Sequence, residues 1–235
     1  MDQPIRRLIL MRHGEVAYFD PDGRALDPWR VPLTERGQRQ AHAAASAMAA
    51  SGLNHIVTSA VPRSVETATI LSERLKVDYQ IDEAWNEVRP GALDALAGEA
   101  LDDAILATYS RAAEPGARFF GGEAFADLTA RVEAGLARLM DERSWTTVLV
   151  VTHDPVIRFT ITRTLGLSLG GMRFFEQDPG CITIIDWVPD RDGIAEPVIR
   201  LLNSSPDDPG KHGSREPALV RFHRSYLASR QGAKR

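Results

Sequence analysis

One segment constrains the fold more than any other. Residues 147–152 are Thr-Val-Leu-Val-Val-Thr, and a β-branched apolar run with so little polar interruption is typical of a central strand covered on both faces. Shorter runs of this kind alternate with long, alanine-rich amphipathic stretches, and this alternation predicts an α/β sheet protein. The predicted strands are residues 8–11, 55–58, 78–81, 147–152, 181–187 and 198–202.

The stretches between these strands carry helix signals. Thr34 suits the N-cap of a helix that extends to about residue 50, and Pro62 suits the first turn of a helix that ends near residue 75. Further helices are predicted at 123–143 and 155–166, with a small helical insertion or lid at 91–122, where the periodicity weakens. The turn composition of residues 189–193 predicts that the last two strands form an antiparallel hairpin at one edge.

The composition excludes several classes of protein. No apolar run approaches the roughly 18 residues that a membrane span needs, and we expect no signal peptide. Cys181 is the only cysteine in 235 residues, so neither an intrachain disulfide nor a cysteine-based metal cluster can form. We therefore expect a cytoplasmic protein. The formal charge of −4 favours neither nucleic-acid binding nor a membrane surface.

The charge is distributed unevenly along the chain. Residues 204–235 contain seven Lys and Arg against three Asp and Glu, a net charge of +4, whereas residues 1–203 carry −8. We predict one domain over residues 1–203, followed by a basic C-terminal tail. Such a tail could contact an anionic ligand or partner. Its prolines and glycines favour a solvated and partly mobile end instead.

The first predicted strand ends in residues that can carry chemistry. Arg12 and His13 follow residues 8–11 at the edge of an α/β sheet where ligands usually bind. Gly14 allows a sharp turn and would leave room for a ligand beside the imidazole. Taken alone, this Arg-His-Gly triplet is equally consistent with a packed structural histidine.

Two further strand ends repeat this placement. Arg63 falls in the first turn of the helix after strand 55–58, where its guanidinium and the positive helix end can act on one anion. His153 directly follows strand 147–152 at another helix start. Parallel neighbouring strands would bring these groups into one pocket. Two arginines and a histidine match the charge and geometry of a phosphoryl group, and a second imidazole is then free to attack phosphorus.

Covalent catalysis of this kind also needs a proton for the departing oxygen. A carboxylic acid with a raised pKa is the preferred donor. Glu87 lies just after predicted strand 78–81 and is the candidate. Without the other strand ends, a surface carboxylate would be an equally good interpretation.

These motifs together resemble the histidine phosphatase superfamily, also called phosphoglycerate mutase-like. The resemblance covers roughly residues 5–188 and implies a three-layer α/β/α sandwich with a mostly parallel central sheet, to which residues 91–122 add a small helical cap. The matching segments, in family order, are LILMRHGE, LTERGQRQA, TSAVPRSVETA, NEVRPG, GGEAFADLTARV and VVTHDPVIR.

The resemblance also implies a role for each matching residue. His13 would be the nucleophile, with Arg12 and Arg63 binding phosphate. His153 would orient and stabilise the phosphoryl group, and Glu87 would donate the proton. We expect no cofactor and no metal, because the chain has no H-E-x-x-H, no clustered carboxylates of a two-metal site and no phosphate loop that ends in Gly-Lys-Ser/Thr.

The sequence departs from the family pattern at several positions. Mutase members usually have an asparagine six positions after the nucleophile, where this chain has Phe19, and paired cap arginines that are absent here. Asp154 stands where many members have glycine. It could orient His153, contact the substrate or, as we favour, cap the helix that Pro155 opens. Arg24, in the long segment 16–33, could reach a substrate, although a solvated loop charge is the simpler interpretation.

The sequence therefore predicts a metal-independent phosphomonoesterase that hydrolyses a small phosphorylated substrate through a phosphohistidine on His13. Mutase-type phosphoryl transfer is the alternative within the same chemistry, and a non-catalytic module that binds a phosphorylated ligand is a third hypothesis. Segments 16–33 and 91–122 are expected to set specificity, but they do not identify the substrate. The oligomeric state is left open.

Overall fold

A single sheet organises the molecule. The computed structural model describes residues 4–189, 195–213 and 215–232. The strands form a sheet in the order β3-β2-β4-β1-β5-β6. They are β1 (Arg6–Arg12), β2 (His55–Thr58), β3 (Tyr79–Ile81), β4 (Thr147–Thr152), β5 (Ile182–Pro189) and β6 (Ala195–Ser204). Every predicted strand is present, whereas the predicted turn after Pro189 lies outside the described residues.

The sheet is mostly parallel, as predicted. Strand β4 pairs in parallel with β1 on one side and with β2 on the other, and β2 pairs in parallel with β3. Strand β5 is antiparallel to both β1 and β6, so the last two strands form the expected edge hairpin. The carboxyl ends of β1, β2 and β4 consequently meet at one edge of the sheet.

The first two helices begin where the sequence signals place them. Thr34 Oγ1 accepts the Gly37 backbone N–H at 3.0 Å and caps the first helix. Pro62 opens the second helix, where its fixed φ suits the first turn. The helices are α1 (Glu35–Met48), α2 (Pro62–Leu75), α3 (Glu99–Leu106), α4 (Phe125–Asp141), α5 (Asp154–Thr164) and α6 (Ala218–Gly232).

Side chains that alternate along the central strands build two hydrophobic layers. On one face, Leu8 and Val150 pack with residues of α4, α5 and the 91–122 insertion. On the other face, Ile9 and Leu149 pack with residues of α1 and α2. Burial of each such side chain stabilises the fold by about 1.5–3 kcal/mol. The three-layer α/β/α sandwich is therefore confirmed.

Residues 91–122 form a helical cap, as predicted. They contain α3 and two short 3-10 helices, Leu93–Ala95 and Phe119–Gly121. Leu101, Ile105 and Tyr109 of this cap are buried in the same hydrophobic cluster as α4 and α5. The cap is thus packed onto the domain core.

The C-terminal segment differs from the prediction of a solvated, partly mobile end. Residues 218–232 form helix α6, which contacts α3 of the cap. Leu219, Phe222 and Tyr226 project onto the main hydrophobic cluster, because positions three and four apart share one face of a helix. The proline- and glycine-rich part that precedes α6 is non-helical. Within the described residues, no helix combines the length and the apolar character that crossing a membrane requires.

Candidate active site

Three strand ends bring two histidines and an arginine together. In the register of the sheet, Arg12 of β1 lies opposite Thr152 of β4, and His13 directly follows. The ring centroids of His13 and His153 are 5.2 Å apart. Arg63, from the first turn of α2, donates from Nε to His13 Nε2 at 3.0 Å, and its Nη2 lies 3.4 Å from His153 Nδ1.

The tautomer of His13 follows from its partners. Its Nδ1 lies 2.8 Å from the Gly14 carbonyl oxygen, and because a carbonyl only accepts, Nδ1 must carry the hydrogen. The lone pair therefore resides on Nε2, where Arg63 donates to it. Burial, reinforced by the charges of Arg63 and Arg12, lowers the pKa of His13 well below 6.5. The imidazole is thus neutral and available as a nucleophile near pH 7.

His153 is held by a serine that the sequence analysis left without a role. Ser59 Oγ lies 2.8 Å from His153 Nε2 and accepts the Val61 backbone N–H at 3.3 Å. The Ser59 hydroxyl can donate to His153 Nε2 or accept from it, while His153 Nδ1 lies 3.4 Å from both Glu87 Oε2 and Arg63 Nη2. Burial, with the positive charge of Arg63, lowers the pKa of His153 as well.

Arg63 and Arg12 differ in the number of guanidinium nitrogens that have a hydrogen-bond partner among the described residues. Arg63 is buried, and its Nη1 donates to the Pro28 carbonyl of segment 16–33 at 2.5 Å. Arg12 donates from Nη1 to the Gln177 carbonyl at 2.7 Å, but its buried Nε has no hydrogen-bond partner among the described residues. An unpartnered buried donor is costly unless a ligand accepts from it. Arg12 is therefore well suited to bind an anion here.

Glu87 completes the cluster. Its Oε2 lies 3.2 Å from Arg63 Nη2, and its Oε1 accepts the Val88 backbone N–H at 3.0 Å. Only 18% of its side-chain surface is exposed. Burial raises the pKa of Glu87, although the Arg63 charge and the Val88 hydrogen bond oppose the increase. A carboxyl group with a raised pKa is suited to donate a proton.

Tyr18 is a further neighbour that no sequence signal indicated. Its ring centroid lies 5.9 Å from Arg63 Cζ. Burial raises its pKa, while the Arg63 and Arg12 charges act in the opposite direction. Tyr18 belongs to segment 16–33, and Pro28 of the same segment already contacts Arg63. This segment therefore covers the cluster.

The structure gives a different reason for a glycine at position 14 from the predicted one. A Cβ atom at Gly14 would lie 2.4 Å from the Gly37 carbonyl oxygen in the first turn of α1. The reverse contact is equally close, since a Cβ at Gly37 would lie 2.2 Å from the Glu15 carbonyl oxygen. The space beside Gly14 is thus filled by α1 rather than left for a ligand.

The predicted capping role of Asp154 is wrong. His153, not Asp154, is the N-cap residue of α5, and no side chain caps that helix end. Asp154 instead accepts from Tyr109 Oη at 2.8 Å and from Arg158 Nε at 2.6 Å, and Arg158 also pairs with Glu176 at 3.1 Å. This buried network joins the cap to helix α5, and no hydrogen bond between Asp154 and His153 occurs among the described residues.

Arg24 is not brought to the cluster. Its side chain is largely exposed and pairs with Asp22 at 3.4 Å. Among the described residues, no hydrogen bond connects Arg24 with the histidines or the buried arginines.

One trio has the spacing of a metal site. Ligand atoms of His13, Glu87 and His153 lie within 4.8 Å of one another. However, Arg63 donates to the one free lone pair of His13, and the Arg63 and Arg12 charges oppose a cation. The arrangement is better suited to an anion.

A cavity of about 570 Å³ lies beside the chain segments that carry Arg63 and Glu87. Its lining includes Trp29, Pro62 and Asn86, which are chain neighbours of Pro28, Arg63 and Glu87 respectively. Arg89 also lines it, and its guanidinium makes no hydrogen bond to the described residues. The volume is in the range that small-molecule ligands occupy.

Comparison with known proteins gives consistent matches. The family model described as the histidine phosphatase superfamily (branch 1) matches residues 8–199. The adenosylcobalamin/alpha-ribazole phosphatase of Escherichia coli (strain K12) is 29% identical over 182 residues, covering 77% of this chain and 89% of that protein. A probable phosphoglycerate mutase of Enterobacter sp. (strain 638) is 28% identical over 184 residues, covering 77% of this chain and 85% of that protein.

Solved structures share the architecture. A putative alpha-ribazole-5'-P phosphatase from Escherichia coli superposes with a TM-score of 0.66 at 28% identity, covering 85% of this chain and 97% of that one. A mycobacterial glucosyl-3-phosphoglycerate phosphatase superposes with a TM-score of 0.69 at 25% identity, covering 85% of this chain and 99% of that one.

Proposed function

The chain belongs to the histidine phosphatase superfamily, and from that premise we propose that it hydrolyses small phosphate monoesters through a phosphohistidine on His13. One observation carries the proposal. The unprotonated Nε2 of His13 lies 3.0 Å from the Arg63 guanidinium, with a second neutral imidazole beside it. A neutral nucleophile next to a buried cation is what attack on an anionic phosphoryl group requires.

In the first step, His13 Nε2 attacks phosphorus and the bond to the leaving oxygen breaks. Arg63 must release His13 and donate to a nonbridging phosphoryl oxygen instead. The free Nε of Arg12 supplies a second donor, and a ring N–H of His153 a third. Preorganised donors of this kind stabilise the charge that develops in the transition state by about 3–4 kcal/mol each.

Glu87 supplies the proton that the leaving oxygen needs. Its raised pKa, caused by burial, keeps part of it protonated where an ordinary glutamate is ionised. After the alcohol leaves, the carboxylate is a base close to the phosphohistidine. It then takes a proton from water, whose oxygen attacks phosphorus and regenerates His13. No metal is needed, because the two guanidinium groups neutralise the phosphoryl charge.

Substrate entry requires segment 16–33 to move. The Pro28 carbonyl accepts a hydrogen bond from Arg63 Nη1. A phosphoryl oxygen would have to replace this carbonyl as the acceptor. The alcohol part of the substrate then occupies the cavity beside Trp29 and Arg89. A guanidinium without a described partner in this cavity favours a leaving group with an anionic or acceptor-rich substituent.

A direct test uses an aryl phosphate and two histidine variants. We expect His13→Ala to abolish turnover, whereas His42→Ala, at an exposed position of α1, retains wild-type rates. Alkaline quenching should trap a phosphoenzyme in the wild type and none in His13→Ala. Equal turnover by wild type and His13→Ala would refute the proposal. Binding of phosphorylated ligands without turnover would indicate a non-catalytic module.

The mutase alternative is separated by the fate of the phosphoryl group. Hydrolysis releases inorganic phosphate in proportion to the alcohol formed. A mutase would return the phosphoryl group to the product and release little phosphate. Phe19, at the position where mutases usually have asparagine, packs against the hydrophobic cluster and near Phe222. This partly buried phenyl ring offers no polar group to a substrate, and its presence therefore favours hydrolysis.

A further inference from the structure

Helix α6 lies beyond residues 8–199 that match the family model, yet it packs next to the candidate site. The ring of its residue Phe222 lies near two aromatic rings from other parts of the chain. The Phe222 centroid lies 5.7 Å from that of Phe120, with the ring planes 13° apart, and 6.4 Å from that of Phe19. Phe120 belongs to the cap and Phe19 to segment 16–33. One side chain of α6 therefore contacts both the cap and segment 16–33, which cover the site.

Phe120 is tied to the segment that carries Glu87. A Cβ atom at Gly91 would lie 2.6 Å from the Phe120 carbonyl oxygen, so the two backbones are in direct contact. Just beyond them, the Glu123 N–H donates to the Arg89 carbonyl at 2.8 Å, and the Glu123 carboxylate accepts the Arg89 N–H at 2.9 Å. Phe120 and its chain neighbours thus contact residues 89–91, which directly follow the segment that carries Glu87.

Phe120 also adopts a backbone conformation that needs support. Its φ of 49° lies in the left-handed region, which a bulky residue occupies only when its surroundings hold it there. Its ring stacks with that of Phe119, at a centroid distance of 4.1 Å, and with that of Phe222, at 5.7 Å. Loss of the Phe222 ring removes one of these two supports.

The other ring, Phe19, is the chain neighbour of Tyr18. The Tyr18 ring lies 5.9 Å from the Arg63 guanidinium carbon, and the Tyr18 carbonyl accepts the Leu26 N–H at 2.9 Å within segment 16–33. A shift of Phe19 therefore moves the part of this segment that faces Arg63.

The helix itself is firmly anchored to the cap and the core. Arg230 Nη1 donates to the Leu96 carbonyl at 2.6 Å, and His223 Nε2 lies 2.7 Å from Asp102 Oδ1. At the other end, the Ala218 N–H donates to Glu176 Oε1 at 2.9 Å. These contacts anchor helix α6 on both sides of Phe222 in the chain.

We propose that Phe222 is a positioning residue, through which helix α6 holds the Glu87 segment and segment 16–33 in register around the leaving group. This inference rests on the proposed hydrolysis. Phe222 acts through Phe120 and Phe19 and touches no reacting atom. Its effect should fall on the step that needs Glu87, because proton donation depends on hydrogen-bond geometry. A misplacement of about 1 Å at a reacting group reduces the rate by up to about a hundredfold.

Two phosphate esters distinguish a misplaced Glu87 from a simple loss of folded protein. The leaving group of para-nitrophenyl phosphate is acidic enough to depart without a proton, whereas that of glycerol phosphate is not. We expect Phe222→Ala to lower kcat/KM for glycerol phosphate by about tenfold and for the nitrophenyl ester by less than about twofold. The ratio of the two values does not depend on the fraction of folded enzyme.

Matched variants complete the experiment. Leu227→Ala removes a partly exposed apolar side chain from the same helix and should leave the ratio unchanged. Phe222→Leu retains apolar volume and folds if Phe222→Ala does not; it should shift the ratio in the same direction by a smaller factor. Glu87→Gln should change the ratio of the two kcat/KM values more than either Phe222 variant does. The same substitution should change the ratio less when it is introduced into Phe222→Ala.

The outcomes are distinct. A selective loss with glycerol phosphate supports the inference. An active wild type whose ratio is unchanged in both Phe222 variants overturns the inference and leaves the proposed function in place. A wild type that hydrolyses neither ester overturns the proposed function and this inference together.

Discussion

Replacing Asp154 by asparagine should destabilise the fold through the buried network that this carboxylate forms with Tyr109 and Arg158. Asp154 Oδ1 accepts from Arg158 Nε at 2.6 Å, and only 2% of the Arg158 side chain is exposed. Asparagine retains the shape and an acceptor for Tyr109 but removes the charge that compensates Arg158. Burial, together with the charge of Asp154, raises the pKa of Tyr109.

The magnitude follows from the fate of Arg158. Removal of one partner from a buried ion pair costs about 3–5 kcal/mol, because the remaining charge is left uncompensated. Glu176 stays 3.1 Å from Arg158 Nη2, but 35% of its side chain is exposed to screening solvent. We therefore expect a loss near the lower end, about 3 kcal/mol. For a chain of this length that corresponds to a decrease in Tm of about 6–12 °C.

Urea unfolding of four variants tests this reasoning. Tyr109→Phe should cost about 1 kcal/mol, the usual value of one hydrogen bond. Glu133→Gln, which breaks an exposed pair with Arg163, should cost less than about 1 kcal/mol. The double variant Asp154→Asn/Arg158→Met should be more stable than Asp154→Asn alone, because it removes the unpaired charge. If Asp154→Asn lowers the free energy of unfolding by no more than Glu133→Gln does, the Asp154–Arg158 pair does not stabilise the fold as a buried ion pair.

Three further predictions address the site. Because burial and Arg63 keep the pKa of His13 below 6.5, the unfolded chain binds the proton first, and stability should decrease as pH falls below about 6.5. His13→Asn should reduce this decrease by about 1.4 kcal/mol per pH unit in urea titrations; an identical pH dependence would contradict it. Gly14→Ala places a methyl group 2.4 Å from the Gly37 carbonyl oxygen, so we expect a loss of about 2–3 kcal/mol and of aryl phosphate turnover. Wild-type activity would show that the contact can relax. Arg89→Gln should raise KM about tenfold for carboxyphenyl phosphate but not for phenyl phosphate, since a charge-assisted hydrogen bond contributes about 1.5–3 kcal/mol; equal effects on both would exclude an anionic subsite.

The C-terminal helix shows why a local signal can be overlooked. Leu219, Phe222 and Tyr226 have the spacing of one helix face, but the surrounding charges and the preceding prolines favour a solvated segment. The hydrophobic partners of this face, Phe19 and Phe120, lie about a hundred residues or more away in the chain. Helix formation here depends mainly on packing, and packing is not visible in the local sequence.

Asp154 illustrates the same limit at the site. Its position before Pro155 predicts a helix cap, because side chains of this type commonly bond to nearby backbone N–H groups. In the fold, Arg158, one turn later, and Tyr109, from the cap, both donate hydrogen bonds to the carboxylate. A charged donor forms the stronger hydrogen bond, so the tertiary contacts determine where the side chain points.

The sequence by itself determined the order of strands and helices as far as β6 and the strand ends at which Arg12, His13, Arg63 and His153 occur. These features follow from periodicity and from helix start signals, which act over a few residues. The tertiary structure decided which nitrogen of His13 is free, which donors of Arg12 lack partners and which rings of α6 meet the coverings of the site. Each of these depends on groups from distant parts of the chain and on burial away from water, and only the folded arrangement brings those groups together.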